Sequence, residues 1–223
     1  MSQAGLFDSH QSGAKLPEGM RYRSELITPA EEEALIGRVR DLPFREFEFH
    51  GFKGKRRTVS FGWQYEFSGR GQLRKADDIP EFFFSLRATA AEFAQVEPDS
   101  LQHVLVIEYG PGSGIGWHRD KPVFGEVIGI SLLTPCVLRF RRQVGNEKGG
   151  SRIPGIKNVK DTDRETGKME SVRTRAIWQR MNVVAEPRSA YHLTGPARSE
   201  WQHSVLRVDE LRYSITFRTL RPD

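Results

Sequence analysis

The part of the sequence that most limits the possible folds begins after residue 100. From there to the C-terminus, short segments rich in Val, Ile, Phe and Tyr alternate apolar with polar residues, and turn residues separate them. The eight segments are LQHVLVIEY, GIGWHRD, EVIGISLL, CVLRFRR, RAIWQRMNVVAEP, SAYHLTG, WQHSVLRV and LRYSITFRTL. Since no helical pattern interrupts them, they predict a double-sheet jelly roll or a barrel. We therefore expect an α+β chain that is mainly β, with a double-stranded β-helix (jelly-roll) core over residues 101–223.

The first hundred residues have a different pattern. The stretch ITPAEEEALIGRVRDLP predicts a helix, because Thr28 is a good N-cap, Pro29 suits the first helical position and Glu31 completes a capping box. A second helix is predicted near PEFFFSLRATAAEFAQV, where apolar side chains recur on one side. The polar residues 1–18 are interpreted as a disordered tail, and residues 19–223 as a single domain.

Composition also indicates where such a chain works. No apolar run approaches the roughly 18 residues that a membrane span needs, and the N-terminus lacks the pattern of a signal peptide. Cys136 is the only cysteine, so no internal disulfide can form, which is typical of an intracellular protein. We expect a cytoplasmic monomer with no membrane partner.

Positive charge is concentrated in two segments. Residues 50–75 carry seven Lys or Arg against one Glu, and residues 141–175 carry ten Lys or Arg against five Asp or Glu. The net charge of the whole chain is +5, so the remainder is acidic on balance. Residues 143–171 are too long for an ordinary hairpin and are interpreted as a basic insertion. Either segment alone fits a solvated loop, but two in one domain favour a nucleic acid as the partner.

His118 and Asp120 are separated by one residue in GIGWHRD. On a strand, residues i and i+2 point to the same face, so the imidazole and the carboxylate would converge. Two histidines and one carboxylate form the facial triad of non-haem Fe(II) oxygenases. The second histidine must come from a neighbouring strand. We prefer His203 to His192, because His203 leads directly into the last strand.

The last strand carries two arginines on one face. In RYSITFR, a period of two places Arg212, Ser214, Thr216 and Arg218 together. Arginines inside an apolar barrel are costly without anions, and the dicarboxylate 2-oxoglutarate is a natural partner for a guanidinium. The two arginine Cα atoms are roughly 20 Å apart on an extended strand, so both reach one ligand only if the strand curves. The alternative is that one arginine binds the cofactor and the other pairs with a protein carboxylate.

In order and context, these motifs resemble the AlkB-type Fe(II)/2-oxoglutarate dioxygenases. The resemblance rests on EYGPGSGIGWHRDK, WQH and RYSITFR, and the upstream RRTVSFGWQYEF is similar to the nucleotide-recognition lid of that family. It implies that His118, Asp120 and His203 bind the catalytic iron. The residues that it implies for 2-oxoglutarate are Tyr109, Arg212, Ser214 and Arg218, with Arg212 on the distal carboxylate and Arg218 near the metal-proximal one. Those that it implies for the lid over the target base are Trp63 and Tyr65.

The sequence departs from the family pattern at three points. Ile107 stands where the family usually has Asn, and Ser214 stands where Asn is common. The stretch KPVFG after Asp120 lacks the acidic residue with which some members read an adenine amino group. These differences bear on substrate preference more than on activity.

Two further residues lie close to the motifs. Trp117 precedes His118 and should point to the opposite face of its strand, so we expect it in the core. Arg198 in GPARSEWQH either orients an iron ligand, for example by pairing with Asp120, or lies on the surface.

The resemblance implies oxidative dealkylation of N-alkylated bases in DNA or RNA, coupled to decarboxylation of 2-oxoglutarate to succinate and CO2. One alternative is a 2-oxoglutarate-dependent hydroxylase of a protein or small molecule, against which the two basic segments argue. The other is a non-catalytic jelly roll that binds nucleic acid. The presence of all three candidate ligands and both arginines argues against it.

Overall fold

The computed structural model describes residues 15–49, 52–66, 72–148 and 174–221. In chain order the strands are β1 Met20–Arg23, β2 Arg45–Phe49, β3 Phe52–Phe61, β4 Trp63–Glu66, β5 Gln72–Lys75, β6 Leu101–Tyr109, β7 Ile115–His118, β8 Phe124–Leu132, β9 Cys136–Lys148, β10 Thr174–Ala185, β11 Ala190–Leu193, β12 Gln202–Val205 and β13 Arg212–Leu220. The helices are α1 Pro29–Val39, α2 Phe84–Ala94 and α3 Gly195–Ser199, with 3-10 turns at Glu81–Phe83 and Pro98–Ser100. Most of the predicted tail and most of the predicted basic insertion lie outside the described residues.

The strands form two larger antiparallel sheets and a hairpin. Seven strands join in the order β1-β11-β8-β13-β6-β3-β2, four join in the order β10-β9-β12-β7, and β4 pairs with β5. This double-sheet arrangement confirms the predicted jelly-roll core in a mainly β chain. Each segment predicted as a strand after residue 100 is a strand, but the short helix α3 lies between β11 and β12, where the pattern indicated no helix.

The first hundred residues contribute more to the core than the pattern predicts. Besides the two helices and the hairpin, they supply β1, β2 and β3 to the seven-stranded sheet. β3 pairs with β6 in a register that sets Arg56 opposite Tyr109 and Thr58 opposite Ile107. Four of the ten residues of FKGKRRTVSF are charged, and they conceal the alternation of this strand in a hydrophobicity pattern.

The last strand, β13, separates two apolar cores. Tyr213, Ile215 and Phe217 face the first core, in which the seven-stranded sheet packs against α1 and α2. Arg212 and Arg218 lie on the other face, toward the space between the two sheets, as the period of two predicts. A second apolar cluster fills part of that space with Ile107, Tyr109, Leu138, Phe140 and Val183, among others. The polar side chains of β13 are therefore held inside the jelly roll.

Both predicted helices are present and their caps explain where they begin and end. The Thr28 hydroxyl accepts a hydrogen bond from the Glu31 amide at 3.2 Å, and the Glu31 carboxylate accepts one from the Thr28 amide at 2.7 Å. The second helix, α2, ends at Ala94 because Gln95 adopts a left-handed conformation with φ of 61°. Within the described ranges, no helix is long and apolar enough to cross a membrane.

Candidate active site

Two histidines face each other across neighbouring strands of the small sheet. β7 ends at His118, and β12 carries His203. The two residues are paired in register, so their side chains lie on the same face. Their ring centroids are 4.2 Å apart, and the ring of Phe140 on β9 lies 6.1 Å from that of His203. The structure thus brings His203 beside His118, as preferred from the sequence.

His192 lies in a different cluster. Its Nε2 is 2.8 Å from a Glu126 carboxylate oxygen, and its Nδ1 is 3.0 Å from an Arg21 guanidinium nitrogen. The Phe93 ring packs edge-on at 6.3 Å. These contacts join β1, β8, β11 and α2, so His192 is a buried residue that ties the sheet to the helix layer.

Asp120 reaches the two histidines from a turn and not from a strand. β7 ends at His118, so the argument that residues i and i+2 share a strand face is wrong for this pair. The Asp120 Oδ1 accepts hydrogen bonds from Arg218 Nε at 3.0 Å and Nη2 at 2.7 Å. Its Oδ2 lies 3.7 Å from His203 Nε2. One carboxylate oxygen is therefore occupied by Arg218, while the other faces the histidines.

The protonation states of these three side chains suit metal ligation. Burial lowers the pKa of His203 to about 3, and burial also lowers the pKa of His118. Burial alone would raise the pKa of Asp120, but the charges of Arg218 and of the neighbouring basic groups together outweigh it and hold that pKa far below its ordinary value. His118 Nδ1 lies 2.9 Å from the Gly116 carbonyl oxygen, which can only accept, so Nδ1 carries the proton and Nε2 keeps its lone pair.

The donor set fits Fe(II). Two neutral imidazoles and one ionised carboxylate are the ligands of the facial triad, and Asp120 Oδ2 remains available after Oδ1 has bound Arg218. Among the described residues, no three His, Cys, Asp or Glu side chains already have the spacing of a formed metal centre. The arrangement is therefore a set of adjacent donors in the protonation states that Fe(II) requires.

The guanidinium group of Arg218 contacts protein side chains. Besides its two bonds to Asp120, its Nη1 lies 3.3 Å from His103 Nδ1. Burial and then the charge of Arg218 keep the pKa of His103 well below its ordinary value, so this ring is neutral and can accept the bond. The geometry matches the alternative in which one arginine of β13 pairs with a protein carboxylate. The sequence contained a signal for this role of His103. A period of two along β6 puts His103 on the same face as Tyr109.

Arg212 lies at the other end of the same face, with hydrogen-bonding capacity to spare. It is 1% exposed, and its guanidinium lies 5.0 Å from the centre of the Tyr109 ring. Nε donates to the Ser131 hydroxyl at 3.3 Å, whereas Nη1 is buried and has no partner among the described residues. Ser131 stands opposite Ser214 in the register of β8 and β13. An unpaired buried guanidinium nitrogen is costly, and a ligand carboxylate would satisfy it.

Tyr191 is a residue of this interior that the sequence analysis missed. It stands opposite Gly129 in the register of β11 and β8, and a Cβ on Gly129 would come within 2.2 Å of the Tyr191 ring. Only glycine therefore lets the ring lie flat on β8. Burial raises the pKa of Tyr191, and the charges of Asp120 and Arg212 both act on it. Its hydroxyl is thus neutral and lies within electrostatic range of both Arg212 and Asp120. The motif SAYHLTG drew attention to His192, whose side chain points to the other face.

The predicted lid residues lie on the hairpin of β4 and β5. Trp63 and Tyr65 are two apart on β4 and share one face, and both are half-buried. The ammonium group of Lys121 lies 5.0 Å from the centre of the Tyr65 ring. Since Lys121 directly follows Asp120, this contact brings the hairpin next to the candidate metal ligands.

Of the remaining two residues, Trp117 differs from expectation, whereas the position of Arg198 fits the first of its two alternatives. Trp117 is half-buried and does not lie in the core, because the guanidinium groups of Arg139 and Arg141 cover its ring at 4.9 and 4.4 Å. Arg198 is only 6% exposed, so it is no surface residue. Its side chain donates to four backbone carbonyl groups of one turn, those of Asp120, Lys121, Phe124 and Gly125. Arg198 therefore holds the turn from which Asp120 reaches the histidines, and it does so through the backbone.

Arg198→Lys is expected to weaken metal binding, because an ammonium group cannot replace a planar fork that donates to four carbonyls at once. Loss of a group that orients a ligand costs about 10- to 100-fold in metal affinity. Titration calorimetry of the full chain with Mn(II) measures the change directly. The matched control is Arg207→Lys, at an exposed position. A wild-type Mn(II) affinity in a folded Arg198→Lys variant would contradict the positioning role.

Comparison with known proteins identifies the family and the fold of the chain. The model of the 2OG-Fe(II) oxygenase superfamily matches residues 19–218. Among solved structures, OsALKBH1 is similar with a TM-score of 0.57 and 17% identity, over 92% of this chain and 98% of that chain. A prolyl-4-hydroxylase of Pseudomonas putida is similar with a TM-score of 0.51 and 12% identity, over 92% and 94% respectively. The predicted relationship to AlkB-type dioxygenases is confirmed at the level of fold and superfamily. The chain belongs to the 2OG-Fe(II) oxygenase superfamily, whose members use Fe(II) and 2-oxoglutarate.

Proposed function

We propose that this protein oxidatively removes alkyl groups from N-alkylated bases in DNA or RNA. The observation that carries the proposal is the contact between the hairpin and the turn after the candidate ligand, Tyr65 on Lys121 at 5.0 Å. It puts an aromatic surface, on which a base can stack, beside the residues that would hold the iron. The motif resemblance to AlkB-type dioxygenases and the fold likeness to OsALKBH1 support the same class of substrate.

In this proposal His118, Asp120 and His203 hold Fe(II), and Arg212 holds the distal carboxylate of 2-oxoglutarate. Bound together, Fe(II) and 2-oxoglutarate supply the oxidising chemistry, with succinate and CO2 as by-products. Arg218 keeps the Asp120 carboxylate ionised and oriented through its bonds at 2.7 and 3.0 Å. Tyr109 and Ser214 line the cofactor side, since both lie on the inner face of the seven-stranded sheet.

Trp63 and Tyr65 contact the base of the substrate. A base inside a duplex cannot reach a buried metal site, so it must leave the stack, and this costs least for damaged or unpaired bases. Two aromatic side chains on one face of a hairpin offer a stacking surface for the displaced base. The cation of Lys121 against Tyr65 holds the hairpin in this position.

Hydroxylation of a peptide is the second candidate. The similarity to a prolyl-4-hydroxylase, with a TM-score of 0.51 against 0.57 for OsALKBH1, favours it. The stretch KPVFG also lacks an acidic residue for reading an adenine amino group. The aromatic hairpin argues for a base, because an extended peptide needs backbone partners more than a stacking surface.

Tyr65→Ala is expected to lower dealkylation of a methylated oligonucleotide by roughly 5- to 150-fold, because base stacking contributes about 1–3 kcal/mol. The assay measures formaldehyde and succinate released in the presence of Fe(II) and 2-oxoglutarate. Phe84→Ala removes an aromatic side chain that is 50% exposed on α2 and serves as the matched control, with wild-type rates expected.

A proline-containing peptide belongs in the same assay. Stimulation of succinate release by the peptide but by none of a panel of methylated single- and double-stranded oligonucleotides would overturn the proposed substrate and favour the hydroxylase. Absence of succinate release with every substrate would favour a non-catalytic nucleic-acid-binding protein.

A further inference from the structure

The outer face of the four-stranded sheet carries an unusual set of side chains. On β9, Leu138 and Phe140 are buried toward the seven-stranded sheet, so Arg139 and Arg141 point outward. Arg180 on β10 is the register partner of Arg141 and shares this face. Trp117 on β7 and Trp178 on β10 flank Arg141 on this face. We call these five residues the Arg–Trp face: Trp117, Arg139, Arg141, Trp178 and Arg180.

The two indoles hold the central guanidinium between them. The Arg141 Cζ lies 4.4 Å from the centre of the Trp117 ring and 4.4 Å from that of Trp178. Arg139 lies against Trp117 at 4.9 Å. Stacking covers the flat faces of a guanidinium and leaves its N–H edge accessible, which is the edge that binds an anion in a planar fork.

Within the described ranges, the charges of this face have no counter-ion. Arg139 and Arg141 each donate through Nε to a neutral oxygen, the hydroxyl of Ser204 at 3.0 Å and the amide of Gln202 at 2.7 Å. No described carboxylate pairs with Arg139, Arg141 or Arg180, whereas the neighbouring Arg142 has Glu200 at 2.9 Å. Burial lowers the pKa of Arg141, and the charges of Arg180 and Arg139 lower it further, as expected of clustered cations without an anion.

We infer that the Arg–Trp face binds the phosphate backbone of single-stranded nucleic acid. Three outward guanidinium groups with no counter-ion among the described residues match a chain of phosphates, and the aromatic rings between them suit a strand whose bases are unstacked. The identity of the polyanion rests on the proposed function. Trp117 directly precedes His118 on β7, so this face is the outer side of the sheet whose inner side carries the candidate ligands His118 and His203.

The test compares two triple variants that lose the same charge. Arg139→Gln/Arg141→Gln/Arg180→Gln removes the cations of the face, and Arg23→Gln/Arg40→Gln/Arg45→Gln removes three exposed arginines elsewhere. Binding of a labelled, unmodified single-stranded oligonucleotide to the full chain is followed by fluorescence anisotropy at several salt concentrations. Each lost phosphate contact on a single strand reduces the slope of log K against log salt by about 0.7, so the face variant should lose about 2. We expect its Kd to rise about tenfold or more, and that of the control to change little.

Arg139→Lys/Arg141→Lys/Arg180→Lys retains the charges and is expected to recover most of the slope. If the glutamine triple does not fold, Arg180→Gln alone decides, because this exposed side chain should still reduce the slope by about 0.7. An unchanged slope in the face variants, no oligonucleotide binding by the wild type, or equal competition by polyglutamate overturns the inference. The oligonucleotide carries no alkyl group, so binding can be found where dealkylation fails, and dealkylation can be found where this face plays no part.

Discussion

Asp120→Ala is expected to abolish Fe(II)- and 2-oxoglutarate-dependent succinate release. The substitution removes the carboxylate whose Oδ2 lies 3.7 Å from His203 Nε2, and the structure describes no other carboxylate paired with either His118 or His203. It also leaves the Arg218 guanidinium without its anionic partner where a cation should bind. Loss of a group that merely orients a ligand costs about 10- to 100-fold, so loss of the ligand itself should exceed that range. Succinate release and calorimetric titration with Mn(II) measure the two consequences.

The same substitution should also destabilise the fold, which must be separated from the catalytic effect. The side chains of Asp120 and Arg218 are 8% and 9% exposed, and removal of one partner from a buried pair costs about 3–5 kcal/mol. Arg218→Met added to Asp120→Ala should recover part of the melting temperature but none of the activity. Asp78→Ala, which breaks an exposed pair with Lys75, is the control and should leave both unchanged. Succinate release by Asp120→Ala at the wild-type rate would contradict the assignment of Asp120 as an iron ligand.

The alternation of apolar and polar residues was enough to predict the fold class. It also predicted which side chains of a regular strand share a face. The period of two placed Arg212, Ser214 and Arg218 on one face of β13, and the structure puts them between the sheets. The preference for His203 rested on its position before the last strand, and the register of β12 with β7 pairs it with His118. Such features depend on neighbours in sequence and on pairing of adjacent strands, which alternation reveals.

Features that depend on irregular backbone or on contacts between distant strands could not be predicted from the alternation of apolar and polar residues. Asp120 lies in a turn, and Arg198 holds that turn from a short helix 78 residues later. The sequence left this role of Arg198 as one of two alternatives, and no spacing rule could show that the contact is made through backbone carbonyls. Tyr191 became visible only once β11 was paired with β8, because the absence of a side chain at Gly129 makes room for its ring. Trp117 was assigned to the core from its alternation alone, and the arginines of β9 that cover it come from two strands away in the sheet.

Arg212→Met is expected to raise the apparent KM for 2-oxoglutarate about 10-fold or more, since a hydrogen bond to a charged group contributes about 1.5–3 kcal/mol. The reason is the buried Nη1, which has no partner among the described residues and would meet the distal carboxylate. In the absence of cofactor, Arg212→Met removes the unsatisfied buried donor Nη1. The melting temperature of this variant should therefore be no lower than that of the wild type. Added 2-oxoglutarate with Mn(II) should raise the melting temperature of the wild type and of Arg221→Met, an exposed control, but not that of Arg212→Met. Full stabilisation of Arg212→Met by 2-oxoglutarate would show that the cofactor carboxylate is bound elsewhere, and Arg56, which faces Tyr109 from β3, would be the next guanidinium to test.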